Sequence, residues 1–540
     1  MTTFFCRSAT VLRLRNFAYL AAILTIFSGS SALAGAFEDA LTLKLKTTAS
    51  KDAGYTQFYA ERGMKPIWTG SKNRSRRDGL IRALKASAAH GLPAGTYKIS
   101  ELSKSLKSKD ASTAAAAEVL ASQMFVAFGR DINSGVVRPS AVDREIAVKP
   151  AVLGTKTLLD YAAKSSPKKL AAGLQPKSEN YGALLDEKAD LEKRIQKGGY
   201  GQSVPKAKKY EPGMSGAAIT ILRNRLTKLG YKAGTGQGYD ASLAKAVQAF
   251  QADNDLNPDG VVGAATLGLI NLSADQRLQM VVANLERERW WPNSRGKRHI
   301  WVNIADARVT VYDNNKPSFT SRTVVGKAAK DFRTPEFADE MTYMVINPTW
   351  HVPTSIAGKE YLPILKTDPG YLSRQNMTMF NQSGQAVSAS SIDFSGYSEG
   401  NFPYSIKQRP NAGNALGQVK FMFPNRYNIY LHDTPAKSLF NRDYRAYSHG
   451  CIRVHKPVEF AHHLLAKQSS NPKGFYQNIV SRGAEKYVNL RDPVPVYISY
   501  NTAFQNMDGD VVYRDDVYGR DAKVFKALTK AGVRLQASGS

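Results

Sequence analysis

Between residues 35 and 186 apolar positions recur at helical spacing. Tyr55, Phe58 and Tyr59 cluster, Leu80 and Leu84 stand four apart, and Leu120, Met124 and Phe128 repeat at four-residue steps within the strong helix formers of 114–128. Aromatic residues so spaced serve a core more often than a ligand, so 35–186 is read as a helical scaffold without chemistry of its own. Residues 187–210, rich in Lys, Glu and Gly, read as a charged helix running into a linker. The stretch 211–272 predicts three short amphipathic helices. Leu222, Leu226 and Leu229 share one face and Leu243, Val247 and Phe250 a second; Asp259-Gly260 turns into a third helix through Leu267 and Ile270. A connecting segment, 273–298, begins as an amphipathic helix and ends near Trp290-Trp291-Pro292.

At Ile300 the period drops toward two. Ile300 to Ile304 and Val309 to Tyr312 alternate as strands, Asn314-Asn315 suits a hairpin turn, and Val324-Val325-Gly326-Lys327 follows, so 299–500 is expected to be a β-rich domain. Between 354 and 417 that rhythm lapses into a helical 361–365 and a run of turn residues. So long an interruption is usually functional, and a capping lid over the catalytic site is expected. Past it, Pro457 opens a helix buried through Phe460, Leu464 and Leu465, and Val494, Val496 and Ile498 form a strand. Residues 501–540 close the chain with a hairpin at Asp508-Gly509 and a helix over 522–531. The fold class is multidomain α+β.

The 540 residues exceed one ordinary core, so two to four domains are expected. Residues 1–34 read as a secretory signal: Arg7, Arg13 and Arg15 without any acid, an apolar run over 17–27, and small residues ending Ala32-Leu33-Ala34. The apolar run is shorter than the ~20 residues a spanning helix needs, so a periplasmic location is expected. The formal charge of +29 then loses three arginines and stays strongly basic. Export removes nucleic acid as the partner and leaves anionic envelope polymers, although a basic surface also serves solubility.

Of the two cysteines, Cys6 falls in the signal, which leaves Cys451 as the sole thiol of the mature chain. A lone cysteine in an oxidising compartment is either a small buried hydrophobe or a nucleophile. Two histidines nearby favour the second reading. If 427–432 is a strand, Tyr427, Ile429 and Leu431 face a core while Asn428, Tyr430 and His432 face a cleft. Gly450 lets backbone turn sharply before Cys451, and alternation places Cys451 and Arg453 on one face, away from the core. A thiol of pKa about 8.5 needs a base to attack at neutral pH, and His432 is the first choice. The N–H groups around Gly450 and Cys451, with the Tyr430 hydroxyl, could hold an oxyanion. His455, His462 and His463 read as boundary residues; no metal and no cofactor is expected.

His432, followed after a variable connection by Ser448-His449-Gly450-Cys451-Ile452-Arg453, resembles the signature of the L,D-transpeptidase catalytic domain. The run 55–59, Pro66-Ile67-Trp68 and 131–135 resemble the scaffold region of large Gram-negative members, as does Trp350 within Asn-Pro-Thr-Trp-His-Val-Pro. Phe250-Gln251 and the turn at 259–263 resemble the three-helix peptidoglycan-binding domain. The resemblance implies Cys451 as nucleophile, His432 as base oriented by the Asp433 carbonyl, and His449 lining the site. It leaves Ser448, Arg453 and Trp350 as substrate-side candidates, Arg453 standing where many members have Asn. The implied activity is 3→3 cross-linking of peptidoglycan stem peptides through a cysteine thioester, with release of D-alanine and sensitivity to carbapenems. An envelope protein's amine or water could replace the acceptor stem, giving anchoring or L,D-carboxypeptidase activity. A non-catalytic peptidoglycan-binding scaffold is the reading from another class.

Overall fold

The computed structural model describes residues 35–47 and 52–535; the expected signal, with Cys6, lies outside them. The described chain forms two compact units. The first, drawn from residues up to 136, 150–177 and the stretch from 528, is built around the 24-residue helix Ala111–Ser134. Asp110 starts that helix by accepting the Thr113 N–H. Its length and apolarity would suit a membrane, yet it packs Phe125, Phe128 and Ile132 into a core with Tyr59, Trp68 and Leu84. On the same helix Glu118 is fully buried and accepts from the Tyr59 hydroxyl, the N–H groups of Ile67, Trp68 and Thr69, and the Thr69 hydroxyl. A carboxylate so completely satisfied pins 66–69 to the core, as a structural role requires.

The second unit holds 137–149 and 178–527. Helices Ala217–Lys228, Ala241–Asp253 and Ala264–Ile270 make the expected three-helix module around Leu222, Val247, Phe250 and Ile270. The charged stretch at 187 is ordered: helix Glu179–Gln196 runs through it and buries Lys188 against Glu192 at 2.6 Å. The helix after residue 273 differs from its amphipathic reading. Ala274–Trp290, opened by a Ser273/Gln276 capping box, is buried nearly all round, and Asn284, Glu286, Arg287, Glu288 and Arg289 lie inside with it. Each finds a partner: Asn284 with Thr502, Arg287 with Asp521, Arg289 with Glu286, Glu288 with Ser178. Its polar positions therefore mark a buried hydrogen-bonded network and not a wet face.

Fifteen strands follow: β1 Arg298–Asn303, β2 Arg308–Asp313, β3 Lys316–Gly326, β4 Phe337–Ile346, β5 Trp350–His351, β6 Met377–Phe380, β7 Ala386–Val387, β8 Ser405–Gln408, β9 Val419–Met422, β10 Leu431–His432, β11 Ala446–Ser448, β12 Ile452–Val454, β13 Lys486–Ser499, β14 Ala503–Gln505 and β15 Val511–Tyr513. Asn314 and Asn315 both take positive φ, 52° and 62°, the geometry of a tight β2–β3 hairpin. The main sheet runs β11-β3-β12-β10-β9-β4-β13-β1-β2, and β2 pairs back onto β3. Eight strands thus close a ring with β11 added beside the end of β3, so the ring has no open edge. Ile300, Val311, Met344, Phe421, Leu431, Ile452 and Val496 fill its core.

The interruption at 354–417 is more ordered than its sequence rhythm suggests. It forms a four-stranded sheet, β5-β8-β6-β7, over its own core of Leu362, Leu365, Met379, Phe394 and Ile406. Strands of two to four residues are too short to register as alternation.

One ion cluster ties residues 137–149 to the closed sheet. Arg520, wholly buried, donates to Glu336 at 2.9 Å and Glu145 at 3.1 Å and lies over the rings of Tyr500 and Tyr518. Arg520→Met would strand the buried Glu336 carboxylate, and removing one partner of such a pair typically costs about 3–5 kcal/mol. Denaturant titration of the variant should show that loss; a change under about 1 kcal/mol would contradict the assignment.

Candidate active site

The chain leaves β11, turns through His449 and Gly450, and enters β12 just after Cys451. Gly450 has φ +108°, a conformation that favours glycine, and a Cβ there would lie a tight 3.2 Å from Ile429 Cδ1. Its carbonyl accepts the Thr334 hydroxyl at 2.7 Å, while the same hydroxyl accepts the Gly326 N–H at 3.0 Å. Tyr518 supports both partners, donating to the Gly326 carbonyl at 2.6 Å and accepting the Thr334 N–H at 3.2 Å. The turn that presents the thiol is thus held by a buried chain of hydrogen bonds leading back to Arg520, which donates to the Thr334 carbonyl. Among the described residues, neither the Gly450 nor the Cys451 N–H donates to a protein acceptor, so both are available to an oxyanion.

On the neighbouring strand the expected alternation holds over a shorter span. Only Leu431 and His432 are paired as β10, because Asn425 ties down a turn at 425–429 and Asn428 has φ +52°. Ile429 and Leu431 still enter the core, and Tyr430 and His432 still share the other face, their rings 5.6 Å apart. The Cys451 thiol donates to the Asn428 carbonyl at 3.4 Å. In this resting arrangement it bonds to neither imidazole. His432 Nδ1 donates to the Asp433 carbonyl at 2.5 Å, which leaves Nε2 as the proton acceptor. The Asp433 carboxylate is committed to Gln418, Thr434 and Lys437, so Asp433 fixes the His432 ring through its carbonyl and its carboxylate is not free for a ligand.

Burial dominates the electrostatics. It pushes the Cys451 thiol up to about 11, against hydrogen bonds from Tyr430 and the nearby charges of Arg453 and Lys420, although the residue keeps part of its surface open to solvent. Burial, helped by Arg453 and Lys420, depresses His432 from 6.5 to about 3. The resting site therefore holds a neutral thiol and a neutral imidazole. Attack by such a thiol on a carbonyl would need proton transfer to accompany it, the negative charge passing to the carbonyl oxygen as the sulfur–carbon bond forms. The depressed imidazole also has a stability consequence: the unfolded state takes up a proton that the folded state refuses, so stability falls as pH drops from about 6.5 toward about 3.

The remaining predicted residues separate. His449 turns toward the interrupting segment, its Nε2 hydrogen-bonding Glu360, with Lys327 Nζ at 3.4 Å and the Phe332 ring at 4.8 Å. Glu360 sits in the π-turn Ala357–Tyr361, a local widening often found at functional sites. Lys359 beside it pairs with Asp331 at 3.6 Å and Glu399 at 3.4 Å. Ser448 is buried on β11. Trp350 stands on β5 and packs on Tyr361 within the inserted segment. Arg453 occupies the register position beside His432, and Lys420 on β9 the position on its other side. Thr334, Tyr518, Glu360 and Lys420 escaped sequence reasoning. Each is an ordinary polar residue far from Cys451 in sequence, with no motif to mark it.

Residues 297–497 match the family model described as an L,D-transpeptidase catalytic domain, 53–187 a scaffold domain, and 215–270 a "putative peptidoglycan binding domain". A curated Haemophilus influenzae protein named "Putative L,D-transpeptidase" is 32% identical over 246 residues, covering 46% of this chain and 49% of the relative, so the match spans about half the relative's length. Among solved structures, an L,D-transpeptidase of Xylanimonas cellulosilytica is 15% identical with a TM-score of 0.17, covering 54% of this chain and 98% of that one. One from Stackebrandtia nassauensis is 13% identical with a TM-score of 0.23, covering 55% and 98%.

A neutral resting thiol makes its own prediction. Iodoacetamide labelling of Cys451 should accelerate about tenfold per pH unit from 7 toward 10, following the thiolate fraction. A rate already on a plateau below pH 7 would mean a preformed thiolate–imidazolium pair and refute the assignment.

Proposed function

We propose that this chain, whose residues 297–497 form an L,D-transpeptidase catalytic domain, is a periplasmic enzyme that forms 3→3 cross-links between peptidoglycan stem peptides. The observation that carries the reading is the partly open thiol at the Gly450 turn, beside two unused N–H groups and one strand from a neutral imidazole. The Cys451 sulfur attacks the carbonyl at the L-centre of the third stem residue, usually meso-diaminopimelate. As the sulfur–carbon bond forms, His432 Nε2 takes the thiol proton. As the carbon–nitrogen bond breaks, that proton passes to the departing amine of D-alanine, and a thioester remains. The Gly450 and Cys451 N–H groups meet the oxyanion. A side-chain amine of a second stem attacks the thioester, gives its proton to His432 and restores the thiol. No external energy source is needed, because the thioester retains the free energy of the cleaved amide for the new one. The helical module at 215–270 would hold the enzyme on the glycan, and a carbapenem would acylate the same sulfur.

Purified protein with tetrapeptide muropeptides should accumulate a thioester adduct and 3→3 dimers, both read by mass spectrometry. Cys451→Ala should abolish both, and dimer formation by the variant would refute the reading. Products also separate the other acceptors: tripeptide alone marks hydrolysis, and a peptide-modified protein marks anchoring.

The inserted segment has a role in the same chemistry. An acyl-enzyme must outlast water until an amine arrives, and the Glu360 contact with His449 draws the segment to the catalytic run. Glu360→Ala should raise the ratio of hydrolysis to transfer several-fold, as should deletion of 354–417; an unchanged ratio in both would remove the lid from the mechanism.

A further inference from the structure

Across three adjacent strands the register sets Arg453, His432 and Lys420 side by side, Arg453 pairing His432 in parallel and His432 pairing Lys420 antiparallel. Residues paired in register project to the same face, and strands lie about 4.8 Å apart. Two cations thus flank the base about 10 Å from one another, close enough for two long side chains to meet on one small anion. Cys451 lies two residues before Arg453, at the same mouth.

What sets this pair apart is the lack of a close partner. Most buried guanidinium groups of this unit meet a carboxylate, Arg287 with Asp521, Arg289 with Glu286, Arg445 with Asp255 and Arg520 with Glu336, while Arg225 and Arg277 donate to backbone carbonyls instead. Among the described residues no carboxylate lies in ion-pair reach of Arg453 or Lys420, and the Arg453 Nε is buried without a hydrogen-bond partner. Both side chains are half-buried, so water solvates them incompletely. Holding two incompletely solvated like charges beside each other costs stability, which Glu485 offsets for Lys420 only from beyond ion-pair reach. A ligand anion would recover it.

We infer that Arg453 and Lys420 form a carboxylate subsite that reads a free carboxylate of the donor peptide next to the scissile carbonyl. The inference rests on the stem-peptide reading above and deepens it. Arg offers a planar fork to the two carboxylate oxygens and Lys adds a point charge, so a neutral amide in the same place would lose a charge-assisted hydrogen bond and leave both cations unpaired. The subsite also has a catalytic consequence. Burial chiefly, and these two charges with it, hold the His432 imidazole down, so a carboxylate bound between them raises its proton affinity when the donor is in place. The base would be strengthened by the correct substrate and left weak without it. Two donor carboxylates have the right chemistry: the terminal one on the leaving D-alanine, and the second one of the third residue, at its D-centre.

Three synthetic tetrapeptide donors separate these sources: the native acid, one amidated at the terminus, and one amidated at the D-centre. With the full-chain enzyme, kcat/KM should fall at least about tenfold for one amidated donor, the usual range for losing a hydrogen bond to a charged group. Its position names the source. Arg453→Gln and Lys420→Gln should each lose about tenfold on the native donor while changing little on that amide, so the acid-to-amide ratio collapses toward one; Arg453→Lys should restore part of it. The inference is overturned if amidation at neither position matters, or if the variants lose equally on all three donors, since the cations would then act only on thiol and imidazole. Calorimetric binding of the same donors to Cys451→Ala keeps the two readings apart. Acid-selective binding without turnover in the wild type would sink the transpeptidase proposal and leave the subsite standing, and equal binding of acid and amides would sink the subsite.

Discussion

The hydrogen bond from Thr334 to the Gly450 carbonyl is the constraint on which the site depends. A closed ring satisfies its own backbone, and the ring that makes a rigid scaffold offers no natural place for a reactive group. The chain solves this where β11 has left the ring beside β3 and β12 has yet to join it. In that gap one glycine takes a left-handed conformation, and the carbonyl it exposes is caught by Thr334. That bond fixes the carbonyl of the turn between the paired strands on either side. With it, the Cys451 sulfur is set by residues with no chemistry of their own, Thr334, Tyr518 and Arg520, all buried. Stability and catalysis meet here: the Arg520 cluster that joins 137–149 to the sheet also ends on the Thr334 carbonyl.

So enclosed, neither the Cys451 thiol nor the His432 imidazole carries a charge at rest. Burial disfavours the thiolate and the imidazolium alike, and two adjacent cations, which favour the first, further disfavour the second. A thiol kept neutral is also kept from oxidants, because the thiolate is the form that reacts with them. Among the described residues it is the one cysteine, so that protection covers their only thiol. If Cys451 is the nucleophile proposed above, its activation comes from the bound donor, by excluding water and by supplying charge where the resting protein lacks it.

Much of this architecture was legible in the residues, and the parts that were not share a cause. The Asn314-Asn315 hairpin, the three helices over 217–270 and the alternation of Ile429, Tyr430, Leu431 and His432 are local patterns that local physics enforces. The helix Ala274–Trp290 misled because charged residues read as solvent-facing until their partners are known, and Thr502, Asp521 and Ser178 are distant in sequence. The inserted sheet was missed because its strands are shorter than the period that would reveal them. Glu360 and Lys420 were missed for the first reason again: each acquires meaning only from the histidine that the fold sets beside it.

The same logic reaches the three-helix module. Asp255, just past the end of helix Ala241–Asp253 and itself at φ +54°, meets Arg308 of β2 at 2.9 Å, Arg322 of β3 at 3.6 Å and the buried Arg445. Arg445 is the residue before β11, and its neighbour Asp443 accepts the Asn257 N–H at 2.8 Å. One carboxylate of the module therefore bridges three arginines of the catalytic domain, and one of those arginines precedes the strand that leads to Cys451. Such a clamp cannot be loosened without leaving buried guanidinium unpaired, so the module and the nucleophile-bearing strand share a single mechanical frame. A module tied to β11 in this way is held in a set relation to the Cys451 sulfur, six residues beyond Arg445.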